Sequence, residues 1–133
     1  MSTEKFKYKE TQGKNWMGLD KEVIQAYESL RADTSLFPFR LCKIAALIMH
    51  SKGYEVVQGK VKLDNYCGSG IRHDIPHYWN YDPKSGLYFD ITASQFNHYF
   101  HGNPLPDVAF WEENKAPPIY ELCKKNVSPY EVI

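Results

Sequence analysis

The stretch Leu41-Cys42-Lys43-Ile44-Ala45-Ala46-Leu47-Ile48-Met49 sets the strongest constraint on the fold. Apolar side chains lie almost all round a helix built on it, so such a helix is central and buried and the rest of the chain must wrap it. Its unbroken apolar run, Ile44 to Met49, is far too short to span a bilayer. Pro38 suits a first helical turn, which predicts a start at Pro38 or Phe39. Lys52-Gly53 predicts the stop, with glycine free to take the left-handed conformation after the last turn. With 133 residues, 43% apolar and 15% aromatic, the chain has the material to bury a core round this helix, which excludes wholesale disorder.

Ahead of that helix, Asp20 is an N-cap candidate, and Val23, Ile24, Tyr27 and Leu30 form one helical stripe. Beyond it the period changes. Tyr54, Val56, Val57, Val61 and Leu63 suggest strand, with a hairpin about Gln58-Gly59. Asp64 to Pro76 reads as a surface loop. Two strands follow, His77 to Tyr81 and Leu87 to Thr92, joined by the turn residues Asp82-Pro83-Lys84-Ser85-Gly86. Ala93 to Phe100 suggests a short helix, Asn103 to Pro118 an irregular segment, and Pro118 the opening of a last helix ending near Lys125. Helices followed by antiparallel strands make this an α+β chain, one domain over residues 1–133 with a polar arm over 1–15.

Charge narrows the function. Sixteen Lys and Arg balance sixteen Asp and Glu, so no basic face is expected for nucleic acid. Met1 to Glu10 is polar with no apolar stretch behind it, hence no signal peptide. The expected location is the cytoplasm, or a host reached by an effector route without a cleaved signal. Three cysteines, Cys42, Cys67 and Cys123, include no CxxC pair, and neither a disulfide framework nor a zinc site is expected.

Cys42 falls in the first or second turn of the predicted central helix, where free N–H groups and the helix dipole lower a thiol's pKa. The same N–H groups are placed to hold an oxyanion. A thiol nucleophile needs a base, and the base an orienting group. His77 opens one predicted strand and Asp90 lies on the next. If Asp82–Ser85 form a four-residue loop, Tyr81 faces Gly86 and His77 faces Asp90, with Trp79, Tyr81, Tyr88 and Thr92 on the same face. Leu87, Phe89 and Ile91 then line the other, and a slip of one residue would separate His77 from Asp90.

The order of a helix-borne cysteine, a His in "HYWNYD" and an Asp in "LYFDITASQF" resembles the transglutaminase-like branch of the papain-like cysteine hydrolases. The resemblance covers roughly Phe39 to Phe96, with "FRLCKIAALIMHSKGYEVVQGKV" similar to the family's core helix and first strand. It implies a papain-like fold, with Cys42 as nucleophile, His77 as base and Asp90 as its orienter, working through a thioester and needing no cofactor or metal. It also implies a protein or peptide partner presenting a backbone amide or a glutamine side chain, without nucleic acid or membrane. Trp79, Tyr81, Tyr88 and Gln95 are the candidate substrate contacts. Lys43 stands where animal transglutaminases carry Trp, and Ser35 to Leu41 contains no Gln. Hydrolysis is therefore expected ahead of crosslinking, and the second oxyanion donor is open, with Gln12, Asn15 or Trp16 as arm residues able to fold over the site.

Plainer readings stand beside these. Free cysteine is often a small core residue, and His77 alone is compatible with a strand-end His bonded to backbone. Asp90, between Phe89 and Ile91, must find a partner or bear a desolvation cost. Cys67 in "CGSG" has no helix behind it and reads as a loop thiol; Cys123 reads as a packed residue of the last helix. His73, Asp74 and His77, and the pair His98 and His101, are read as ordinary side chains rather than ligands. The alternative to an enzyme is an inactive binding module of the same fold recognising a peptide or small ligand. Oligomeric state is left open.

Overall fold

The computed structural model describes residues 20–35, 37–38, 41–63, 70–99 and 107–132, with backbone only for 97–99. The 1–15 arm with Gln12 and Asn15, together with Trp16, Cys67, His101 and the side chain of His98, lies outside the described residues. The architecture is mixed α+β. Helices α1 (Lys21–Asp33) and α2 (Cys42–Ser51) precede β1 (Glu55–Leu63), β2 (His73–Asp82) and β3 (Leu87–Asp90). A 3₁₀ helix (Ala93–Tyr99), β4 (Ala109–Glu112), β5 (Tyr120–Lys124) and a short α3 (Pro129–Val132) complete it. The five strands form one antiparallel sheet in the order β4-β3-β2-β1-β5.

Both faces of the sheet are covered, which explains how so many aromatics are accommodated. On one face Val57, Val61, Trp79, Tyr88, Trp111 and Tyr120 pack with Ala93 and Phe96 of the 3₁₀ segment. On the other, Phe89, Ile91 and Phe110 meet Val23, Tyr27, Ala45 and Met49 from the helices. Helix α2 is one-sided rather than buried all round: Ala45, Ala46 and Met49 face the sheet, whereas Ile44 is 50% exposed. It begins at Cys42, later than the proline suggested. Its end is a Schellman turn, in which Gly53 (φ 101°) donates to His50 and Tyr54 to Met49. The buried amide of Asn80 ties the helix down, donating at 3.1 Å to the carbonyls of both Ala46 and Glu55. Asp20 sits at the N-cap position of α1 but makes no cap bond; its carboxylate accepts from Tyr54 Oη at 2.7 Å.

Several sequence expectations are corrected. β1 is one continuous strand, with no hairpin at Gln58-Gly59. Gly59 is instead a close approach: a Cβ there would collide with the Trp79 ring and the Glu121 carbonyl, beside a bulge in the β1–β5 pairing. β2 begins at His73, inside the expected loop. Pro76 is tolerated because β3 pairs with Asn80–Asp82, leaving that edge of β2 without a strand partner among the described residues. β4 runs through the segment expected to be irregular. The segment after Pro118 is strand β5, not helix, which leaves Cys123 exposed rather than packed. The terminal helix is opened by Ser128, whose N–H donates to Glu131 at 3.0 Å as in a capping box.

Gly59→Ala tests the close approach directly. Overpacking against Trp79 and a backbone carbonyl is expected to cost about 1–3 kcal/mol or more, measured as a lowered urea midpoint. An unchanged midpoint would contradict it.

Candidate active site

The β2–β3 turn closes with Asp82 facing Leu87, Tyr81 facing Tyr88 and Asn80 facing Phe89. The register is therefore shifted by two residues from the expected pairing of His77 with Asp90. Because side chains alternate with period two, a shift of two preserves the face. His77 and Asp90 become diagonal neighbours, and the imidazole Nε2 lies 2.8 Å from Asp90 Oδ2. Both are buried, 1% and 2% exposed.

Asp90 is saturated. Its Oδ2 also accepts from Tyr120 Oη at 2.6 Å, and its Oδ1 accepts from both the N–H and Oγ1 of Thr92 at 2.9 Å. Four donors match the four acceptor positions of a carboxylate. Burial pushes its pKa up, but the His77 charge and hydrogen bond, Tyr120 and the Thr92 N–H outweigh that and bring it below the ordinary value. Phe96 meets the imidazole edge-on at 4.8 Å between centroids, and Trp79 lies at 5.9 Å, so packing fixes the ring's rotation.

Cys42 is the first residue of α2 and is partly buried. The helix covers the opposite sheet face, yet its first residue reaches the imidazole, and the two side chains share a hydrogen bond. With Nε2 committed to Asp90, Nδ1 is the nitrogen left for the thiol. Burial raises the Cys42 pKa, yet the His77 hydrogen bond and charge, with the Tyr78 backbone N–H, hold it below the usual thiol value. Burial likewise pulls His77 down, but Asp90 and Cys42 carry it up to about 9. The imidazole is thus placed to take the thiol's proton, which favours the thiolate over an ordinary thiol.

The start of α2 adds further donors. Ala45 N donates to Leu41 O at 2.8 Å, whereas the preceding N–H groups have no intrahelical acceptor. Leu41 is a poor N-cap residue that makes no side-chain cap bond, and no acidic residue occupies the helix's first turn. The helix's own first turn therefore carries no acidic side chain to offset the positive end of the dipole beside the sulfur.

Of the other anticipated residues, Trp79 and Tyr88 are buried in the aromatic layer, and Tyr81 packs on Tyr88 at 4.6 Å with Lys125 Nζ 4.3 Å from its ring centroid. Gln95 is partly buried, and its Nε2 finds no hydrogen-bond partner among the described residues. Tyr120 was not anticipated as a partner of Asp90, because the segment that carries it reads as helix. Thr92 had a signal in "DIT", since a residue two positions after Asp often donates to its carboxylate. No described group of three or more His, Cys, Asp or Glu is arranged for a metal ion; Asp74 pairs with Arg72 at 3.0 Å, away from His77. No described helix is long and apolar enough to cross a membrane.

Comparison with family models, with curated proteins and with solved structures gives no match to this chain.

Removing the Asp90 carboxylate strands a buried imidazolium, so Asp90→Ala is expected to lose about 3–5 kcal/mol of stability at neutral pH. The folded pKa of Asp90 lies below its unfolded value, near 3.9 for an ordinary Asp. Its contribution is therefore complete above that range and is lost as pH falls through the lowered value. Urea unfolding across an acid series should show this decline in the wild type and a flatter profile in Asp90→Asn. Parallel profiles would contradict it.

Proposed function

We propose that the chain is a cysteine-nucleophile amide hydrolase or acyltransferase on a papain-like, transglutaminase-like scaffold, with Cys42, His77 and Asp90 as its triad. The observation that carries the reading is the continuous Cys42–His77–Asp90 contact, with the thiol held low and the imidazole held high.

The Cys42 thiolate attacks a carbonyl carbon of a peptide bond or a glutamine side chain, forming a C–S bond. The negative charge moves to the carbonyl oxygen, beside the N–H groups at the start of α2 that have no intrahelical acceptor. The imidazolium gives its proton to the departing amine as the C–N bond breaks, leaving a thioester. Water then attacks; His77 takes its proton, the C–S bond breaks and the thiolate returns. An amine in place of water gives acyl transfer. Asp90 holds the Nε2–H toward itself and balances the imidazolium charge. Hydrolysis is favoured because water needs no second binding site.

A binding module of the same scaffold is the competing reading, supported by the depth of His77 at 1% exposure. Turnover separates the two. With p-nitrophenyl acetate as acyl donor, the expected result is release of p-nitrophenol that Cys42→Ala abolishes and His77→Ala lowers by about 10²–10⁴-fold. With this ester, whose leaving group needs no proton, the rate should rise with pH as the lowered thiol ionises; with a peptide p-nitroanilide, whose departing amine needs one, it should fall again as His77 loses its proton near 9. Equal release by wild type and Cys42→Ala would favour the binding module.

A further inference from the structure

Two groups share one oxygen of Asp90. His77 Nε2 lies 2.8 Å from Oδ2, and Tyr120 Oη donates to the same atom at 2.6 Å. The Thr92 donors occupy the other oxygen, Oδ1. Donors on one oxygen compete, because each draws on the same charge, and a short O–H···O⁻ bond is among the strongest competitors a protein offers. Tyr120 is held to this contact from elsewhere in the fold. It opens β5, its N–H donates to Pro117 O at 3.0 Å, and its cross-strand partner is Val61 of β1. Its ring stands edge-on to Trp79 at 5.2 Å and packs on Trp111 at 4.7 Å between centroids. The ring therefore does the packing, and the hydroxyl acts on Asp90.

We propose that Tyr120 is a positioning residue of this site that limits the hold of Asp90 on the His77 proton. Asp90 and His77 are both buried, where opposite charges attract far more strongly than in water. An imidazolium held too firmly still favours the thiolate, but it is a weak acid toward a departing amine. The Tyr120 hydroxyl takes part of the Oδ2 charge, which makes that proton easier to give up, while it also helps to keep Asp90 ionised. Of the other groups that bear on His77, Cys42 comes from α2, and Phe96 and Trp79, which pack on the ring, carry no charge. The consequence for amide cleavage rests on the triad reading above; the effect on the imidazole does not.

The imidazole is titrated by NMR in the full chain carrying Cys42→Ala, so that no thiol titrates beside it, and His77 is identified by the signal that His77→Ala removes. Tyr120→Phe keeps the ring and removes the hydroxyl, and the His77 pKa is expected to rise by about 0.5 or more. Thr92→Val, which removes a donor from the other oxygen, should raise it less. If Tyr120→Phe does not fold, Tyr120→fluorotyrosine, nearly the same shape and a stronger donor, should lower it. A merely structural role gives the opposite sign for Tyr120→Phe: without its brace Asp90 loosens, and His77 falls toward the ordinary value of about 6.5. With Cys42 in place, Tyr120→Phe should move the alkaline fall of peptide p-nitroanilide hydrolysis to higher pH and lower its maximum. Iodoacetamide alkylation of Cys42 below neutral pH should not slow. An unchanged or lowered His77 pKa in Tyr120→Phe, or a raised one with fluorotyrosine, would overturn the proposal. A raised pKa in a chain whose wild type never cleaves the anilide would uphold the role of Tyr120 and count against the enzyme.

Discussion

The saturated carboxylate of Asp90 is the constraint on which the structure turns. At 2% exposure an ionised side chain survives only if its lone pairs are matched, and its donors come from three places. His77 comes from β2, Thr92 from the turn after β3, and Tyr120 from β5 at the far edge of the sheet. Satisfying one side chain therefore links the end of β3 to β2 and to a strand that pairs only with β1. The same four bonds make the carboxylate strong enough to hold an imidazolium in a place where burial alone would discharge it.

From that follows the role of α2. Its N-cap residue is Leu41, which makes no cap bond, and its first turn holds no acidic residue, a local cost of about 1 kcal/mol against a good cap residue. Asn80 and the Ala45, Ala46 and Met49 face supply the tertiary anchorage that makes so poorly capped a helix stable. A helix start with a poor cap residue at a sulfur, and a buried imidazole held above its ordinary pKa beside it, are local departures from best stability that share one place.

What was legible in the sequence followed local periodicity. Parity along "HYWNYD" and "LYFDIT" put His77 and Asp90 on one face, and that conclusion survived a register two residues from the expected one because the side-chain period is two. Gly53 announced the end of α2 for the reason the φ angle bears out. What was not legible depended on distant partners. Gly59 has the composition of a turn but serves the Trp79 ring, which nothing near it in sequence reveals. Strands β4 and β5 are short, lie among prolines, and exist through pairing with β3 and β1. Tyr120, the residue that completes the Asp90 shell, therefore stayed hidden. The approach of Cys42 to His77 likewise rests on where α2 crosses the sheet, a tertiary fact.

The ionisation of Cys42 in the folded chain tests the account most directly. Iodoacetamide alkylation, mapped by mass to individual cysteines over a pH series, compares Cys42 with the exposed Cys123 in one sample. The account predicts that Cys42 reacts faster than Cys123 at neutral pH and below, with a thiolate that forms below the ordinary value near 8.5, and that His77→Ala removes this advantage. A Cys42 that ionises at or above the ordinary value, or whose reactivity ignores His77, would contradict it.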